Sequence, residues 1–314
     1  MSRKGWLLFA SMCVIWGLPY LFIRIAVEYL TPGTLVFLRT GLAAVILLPI
    51  ALSRSQLAPV VRRWRWLLVF AVIEIITPWL LLSDAERHLK SSLAGLLVAA
   101  VPLIGALAVR LSPGREQVSR AQFVGLGIGL VGVAALVGLD LSQLNILAVL
   151  EMIVVAICYA TGPIILSRTL SDLPGLGVIS AALTVSCVAM VPFAVLQPPD
   201  LSRTSVLSSV LVLSVVCTAL AFILFFALIA TIGPTRATVI TYVNPAVAIG
   251  LGLLVLGERL TAGMLVGFPL ILIGSVLATR AGANSTGAAE TAGVAVAGDV
   301  AAVAGTGKPG RAAG

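Results

Sequence analysis

Glu74 lies in the run Leu67–Trp79, where no other residue carries a charge. Burial among apolar side chains disfavours the ionised form of a carboxyl, so a residue placed this way suits a proton carrier. The plainer role is a structural carboxyl hydrogen-bonded to a neighbouring helix. Arg39 is isolated in the same way within Gly33–Leu52. Its planar guanidinium can hold a carboxylate through two parallel hydrogen bonds, whether that of a solute or of Glu74, or it can tie two helices together. Trp16 and Tyr20 are four residues apart, which puts both on one face of a helix. Trp79, Tyr159 and Tyr242 add rings with polar edges, and Asn244 adds an amide, all within apolar runs. Any one of these side chains could serve helix packing alone. As a set, Trp16, Tyr20, Arg39, Trp79, Tyr159, Tyr242 and Asn244 outline a cavity for a small solute, with Glu74 coupling its movement to protons. Pro102 and Pro245 deprive the carbonyls of Val98 and Thr241 of their helix donors. That predicts helix breaks at a cavity wall, because lipid leaves such carbonyls unsatisfied.

Other groups read as structural. Arg24 and Glu28, four apart, form a surface pair near a helix end, and Glu151 is an interfacial carboxyl. Gly127-Ile128-Gly129-Leu130-Val131-Gly132 has the spacing of a dinucleotide loop. It sits in an apolar run with no strand before it, so close helix packing through small residues explains it better. Gly305-Thr306-Gly307-Lys308 lacks the first glycine and the closing Ser or Thr of a phosphate loop. His88 is the single histidine, and Cys13, Cys158, Cys187 and Cys217 have no metal-ligand spacing. No metal, cofactor or disulfide is expected. Clustered acids or a nucleophile–base pair, which an intramembrane enzyme would need, are missing from the apolar runs.

These residues must be positioned by elements that live in lipid. Sixty per cent of the chain is apolar and 10% charged, with a mean hydropathy of +1.15, against about 45–50% and about 25% in soluble domains. A spanning helix needs about 17–25 mainly apolar residues. Ten segments qualify: 5–27, 33–52, 65–85, 90–111, 120–138, 145–167, 174–196, 206–230, 236–257 and 262–280. Glu74, nine residues past Arg65, then lies about 13 Å deep at 1.5 Å per residue, near the centre of a ~30 Å core. Residues 281–314 are rich in Ala, Gly and Thr and read as a disordered tail. The net charge of +8 does not mark a nucleic-acid binder, because the basic residues sit singly between apolar runs. Fourteen Lys and Arg fall on one side of the ten-span arrangement and four on the other, which predicts both termini in the cytoplasm.

The spans repeat. Pro19 and Pro163, like Arg24 and Arg168, are 144 residues apart; Pro49 and Pro192, like Pro102 and Pro245, are 143 apart; Gly125 and Gly267, like Gly132 and Gly274, are 142 apart. Each copy, 5–139 and 145–280, holds five spans, so the second enters the membrane from the opposite side. Such inverted repeats are typical of secondary transporters, whose solute binds near the midplane between the halves.

Trp16-Gly17, Arg39, Tyr242-Val243-Asn244-Pro245-Ala246, Leu256-Gly257-Glu258-Arg259-Leu260-Thr261 and the closing Gly267–Gly274 stretch resemble the EamA-type transporters of the drug/metabolite superfamily. The resemblance covers residues 5–280. The first half departs from it, with Ser112-Pro113-Gly114-Arg115-Glu116 where Gly-Glu would stand. The resemblance implies an all-α bundle of ten transmembrane helices that exports amino acids or related amphipathic metabolites by alternating access, without ATP. The alternative is a membrane scaffold or enzyme that transports nothing. Arg outnumbers Lys by 17 to 3, and Ala and Gly are abundant, which points to the plasma membrane of a GC-rich bacterium. The expected partners are a small solute, the bilayer and protons, in a monomer or homodimer.

Overall fold

A computed structural model describes residues 2–111, 120–138, 145–233, 237 and 239–280. The proposed tail, the Gly305–Lys308 motif and the Pro113–Glu116 turn lie outside the described residues. Every described element is a helix. Six are long and apolar enough to cross a membrane: Arg3–Ala26, Pro32–Ser53, Trp64–Ala85, Ile146–Thr169, Gly175–Leu196 and Thr204–Ile232. Four shorter apolar ones cover Ser91–Gly105, Phe123–Val137, Ile240–Val255 and Ala262–Ala278. Large apolar side chains stand exposed along them, among them Val45, Leu130 and Leu254. A water-soluble surface does not carry so many; a lipid-facing one must.

The first long helix is two pieces, α1 (Arg3–Ile15) and α2 (Leu18–Ala26), parted at Trp16–Gly17. Pro19 occupies the first turn of α2, where its missing N–H costs nothing. α3 (Pro32–Ser53) follows with Pro32 at its start, then α4 (Leu57–Arg62) and α5 (Trp64–Phe70). The chain widens into a π-helical turn, π1 (Ala71–Ile76), and continues as α6 (Thr77–Ala85). α7 (Ser91–Val98) and α8 (Val101–Leu111) are parted at Ala99–Ala100, just before Pro102. α9 (Arg120–Gly138) completes the first half.

The second half has α10 (Ile146–Thr169), capped by Asn145, whose side chain accepts from the Ala148 N–H at 3.2 Å. Then come α11 (Gly175–Leu196), α12 (Thr204–Leu211), π2 (Val212–Leu220), α13 (Ala221–Ile232), α14 (Ile240–Val255) and α15 (Ala262–Arg280). Glu74 in π1 and Cys217 in π2 are 143 residues apart, so the wide turns recur in the register of the repeat. Single π turns often mark functional sites.

α7 and α8 part just before Pro102, whereas no break is found at Pro245. Pro245 is buried inside α14, which runs through it. A proline there removes one helix donor. Its neighbour Asn244, with the amide nitrogen turned inward, donates to the carbonyls of Ile240 (2.9 Å) and Cys13 (3.0 Å), fastening this stretch of α14 to α1.

The turns at Arg54–Arg63 and Leu170–Pro174 define a basic end of the bundle, and those at Val27–Thr31, Glu86–Lys90, Gln197–Arg203 and Leu256–Thr261 the far end. Buried apolar side chains gather in two large clusters. One contains Val27, Leu30, Ala85 and Leu89 beside far-end turns, and the other Val60, Leu170 and Leu173 beside basic-end turns. Tyr159 packs against both. α9 and α15 join through glycines: a Cβ on Gly125 would lie 2.8 Å from the Gly274 carbonyl oxygen, and one on Gly132 2.7 Å from the Ile271 nitrogen. Two glycines of the dinucleotide-like spacing, Gly129 and Gly132, meet Gly274 and Ile271 in this seam, while Gly127 faces open space.

Candidate functional site

Arg39 is the centre of the polar interior. It projects from α3 and is only 6% exposed. Its guanidinium carbon lies 3.6 Å from the centroid of the Trp79 ring on α6, a cation–π contact worth about 2 kcal/mol or more once desolvated. Its Nε donates to the Thr218 hydroxyl oxygen at 3.0 Å. Thr218 in turn donates to the Leu213 carbonyl five residues back, at 2.7 Å, a span that the wide turn of π2 makes possible. One side chain therefore joins two helices of the first half to the third long helix of the second. Among the described residues, the two terminal nitrogens of Arg39 have no hydrogen-bond partner.

Tyr20 of α2 and Tyr159 of α10 both lie within electrostatic reach of Arg39, and Tyr159 also reaches Glu74. Four residues singled out from sequence, Tyr20, Arg39, Trp79 and Tyr159, thus converge, with Glu74 adjoining through Tyr159. Glu74 does not meet Arg39. It points at α10, where a Cβ on Gly162 would overlap its carboxylate, and its Oε2 is sealed from water with no hydrogen-bond partner among the described residues. The guanidinium is already held by Trp79 and Thr218, and π1 aims Glu74 the other way.

Trp16, Tyr242 and Asn244 lie apart from this group. Trp16 packs on Phe225 (centroids 4.7 Å apart) and Phe222 (6.3 Å) of α13. Tyr20 belongs to a different cluster, because the break at Trp16–Gly17 ends the shared face that their spacing implied. Tyr242 is half-buried in the first turn of α14, and Asn244 bridges α14 to α1. Arg24 and Glu28 do not form an ion pair. Instead, Arg24 donates to the Glu86 carbonyl oxygen at 3.2 Å.

Three participants are not among the site residues expected from the sequence, although one of them, Glu258, stands in the motif that carries the resemblance. Thr218 is one. The second is Glu86, whose side chain is fully buried with neither carboxylate oxygen hydrogen-bonded. It stands one residue past Ala85, among Asp84, Arg87 and Lys90, and so looks like a loop charge. The available signal was spacing: Glu86 is four residues after Leu82 and three before Leu89, both buried, so the apolar face continues past the helix end. Burial pushes its carboxyl well above the ordinary range; Arg24 pulls against that, Glu258 reinforces it, and Arg39 opposes it.

Glu258 is the third. It follows Gly257, which takes a positive φ of 63°, and its carboxylate accepts from the N–H groups of Ser91 (2.8 Å) and Ser92 (3.1 Å) and from the Ser92 hydroxyl. A turn of the second half thereby caps α7 of the first. Beside it opens a polar cleft of about 330 Å³ at the far end, lined by Arg24, Glu28, Arg87, His88, Lys90 and Glu258 among others.

Comparison with known proteins agrees with this architecture. The chain is 28% identical over 276 residues to an uncharacterized inner membrane transporter of Escherichia coli, YedA, covering 86% of this chain and 88% of that protein. It is 24% identical over 274 residues to the uncharacterized transporter YvbV of Bacillus subtilis, covering 85% and 88%. An uncharacterized transporter of Archaeoglobus fulgidus is 22% identical over 285 residues, covering 88% and 99%. A solved crystal structure superposes with a TM-score of 0.63 at 19% identity, covering 91% of this chain and 100% of that one, which shows a shared fold. The model of the EamA-like transporter family matches twice, over residues 3–138 and 146–280, and the chain, a multi-pass membrane protein with that unit in tandem, belongs to this family.

Proposed function

We propose that the protein is a secondary active transporter that exports small amphipathic, amino-acid-like metabolites across a bacterial plasma membrane. Ten spans form two inverted five-helix repeats, 5–139 and 145–280, with both termini and the basic end in the cytoplasm. The observation that carries this reading is Arg39: a buried cation with a free hydrogen-bonding fork, where α3 and α6 of one half meet π2 of the other. A solute carboxylate that docks on the fork touches the contact between halves. Alternating access requires the solute to bias just such a contact, since a ligand shifts an equilibrium only through different affinity for its states. The rings of Tyr20, Trp79 and Tyr159 supply the apolar walls. Glu74 carries the exchanged proton, because an ionised carboxyl with a sealed, unpartnered oxygen is costly in mid-membrane.

The test uses purified protein in liposomes, offered a panel of radiolabelled amino acids and related acids in counterflow and under a pH gradient. Arg39→Lys keeps the charge but loses the fork and the fit to Trp79. Hydrogen bonds to charged groups are worth about 1.5–3 kcal/mol, so the apparent affinity for the transported solute should fall about 10- to 100-fold. Glu74→Gln should retain counterflow while abolishing the response to the gradient. Absence of any flux across the panel would favour a non-transporting scaffold, and unchanged affinity in Arg39→Lys would remove Arg39 from the solute site.

A further inference from the structure

We infer that Glu86 is a second proton-binding site, loaded from the polar cleft at the far end of the bundle. The side chain has no exposed surface, and both carboxylate oxygens lack a hydrogen-bond partner among the described residues. An ionised carboxylate left this way forfeits its hydration without replacement. The protonated form is neutral and is buried at far lower cost. The groups that face it come from three other elements: Tyr20 and Arg24 of α2, Arg39 of α3, and Glu258 of the turn after α14. Its chain neighbour Arg87 lines the cleft, as do Arg24 and Glu258. Glu86 is thus one layer of side chains beneath solvent on one side.

On its other side lies the solute site. Glu86 and Tyr20 are electrostatic neighbours, Tyr20 reaches Arg39 and Tyr159, and Tyr159 reaches Glu74. The two unpartnered carboxyls therefore stand at opposite ends of one polar chain, with Arg39 between them. Twelve residues separate them along the same long helix, about 18 Å at the α-helical rise. Glu258, which both lines the cleft and lies within electrostatic reach of Glu86, is held in place by its cap on α7 at Ser91 and Ser92. Opening that cap would wet Glu86 and let its proton exchange with the solution at the far end. Closing it returns the carboxyl to the interior, within electrostatic reach of the guanidinium that the solute engages. The site extends the transporter reading, and rests on it for its role but not for its existence.

The test is therefore made without solute. Infrared difference spectra of the full chain in lipid nanodiscs, taken between acid and alkaline pH, report protonated carboxyls buried in apolar surroundings. The wild type should show such a band, part of which disappears in Glu86→Gln and persists in Glu74→Gln. Glu86→Asp should keep the band at a shifted frequency, which serves if the Gln variant does not fold. A spectrum unaltered in both Glu86 variants would overturn the assignment. A failed solute panel would leave this experiment standing, and failure here would leave the Arg39 site standing.

Discussion

Gly162 and Glu74 are a pair whose meaning lies in what the glycine lacks. An added Cβ would occupy the space of the carboxylate and come 3.2 Å from the Glu74 Cβ, so more than a terminal rotation is needed to clear it. Overpacking of this kind costs about 1–3 kcal/mol. Gly162→Ala should lower stability by about that amount, while Gly162→Ala combined with Glu74→Ala should recover most of the loss. The measurement is a double-mutant cycle on thermal unfolding of the solubilised protein; simple additivity would show that the two residues do not touch. Arg39 and Glu74 were legible in the sequence because a charge in an apolar run is costly enough to require a reason. Their partners were not. Whether a guanidinium chooses a carboxylate or an aromatic ring depends on which helices adjoin it, and a local π turn, invisible to a 3.6-residue pattern, decides where Glu74 points.

The seam between α9 and α15 is a different case: close packing through small residues is readable in the sequence, and the structure supplies the partner helix. Gly125 with Gly267 and Gly132 with Gly274 keep the register of the repeat, and each meets backbone of the facing helix. Backbone cannot step aside as a flexible side chain can. Gly132→Ala should therefore destabilise the protein by about 1–3 kcal/mol, whereas Gly127→Ala, which faces open space, should gain a few tenths from helix propensity. Unfolding temperatures of the two variants check this, and equal effects would contradict the seam. Small-residue spacing predicts close packing well because few other roles compete for it in lipid. Proline spacing predicts less. Pro102 and Pro245 share a register, yet a helix break is found beside only one of them. The outcome depends on whether a neighbour such as Asn244 can serve nearby carbonyls, and that belongs to tertiary contact rather than to spacing.

At the scale of the whole molecule, Glu258 of the second half reaches across to Ser91 and Ser92 of the first. Glu258 closes the far end by accepting three hydrogen bonds at the start of α7. Two states related by swapping the roles of the halves would have equal free energy if the halves were identical. Here the state closed at the far end holds the charge-assisted hydrogen bonds of Glu258, each worth about 1.5–3 kcal/mol, and they break when that end opens. The resting population should therefore favour the state closed at the far end. Glu258→Ala should move it toward the other state by about tenfold or more, since about 1.4 kcal/mol corresponds to a factor of ten. Alkylation rates of a cysteine placed at Leu89, in a background without Cys13, Cys158, Cys187 and Cys217, would read that shift, and an unchanged rate would show that the cap does not set the balance. In the export reading proposed above, a carrier so biased waits with its site facing the compartment it empties, and its slow step is the uphill opening toward the compartment it fills.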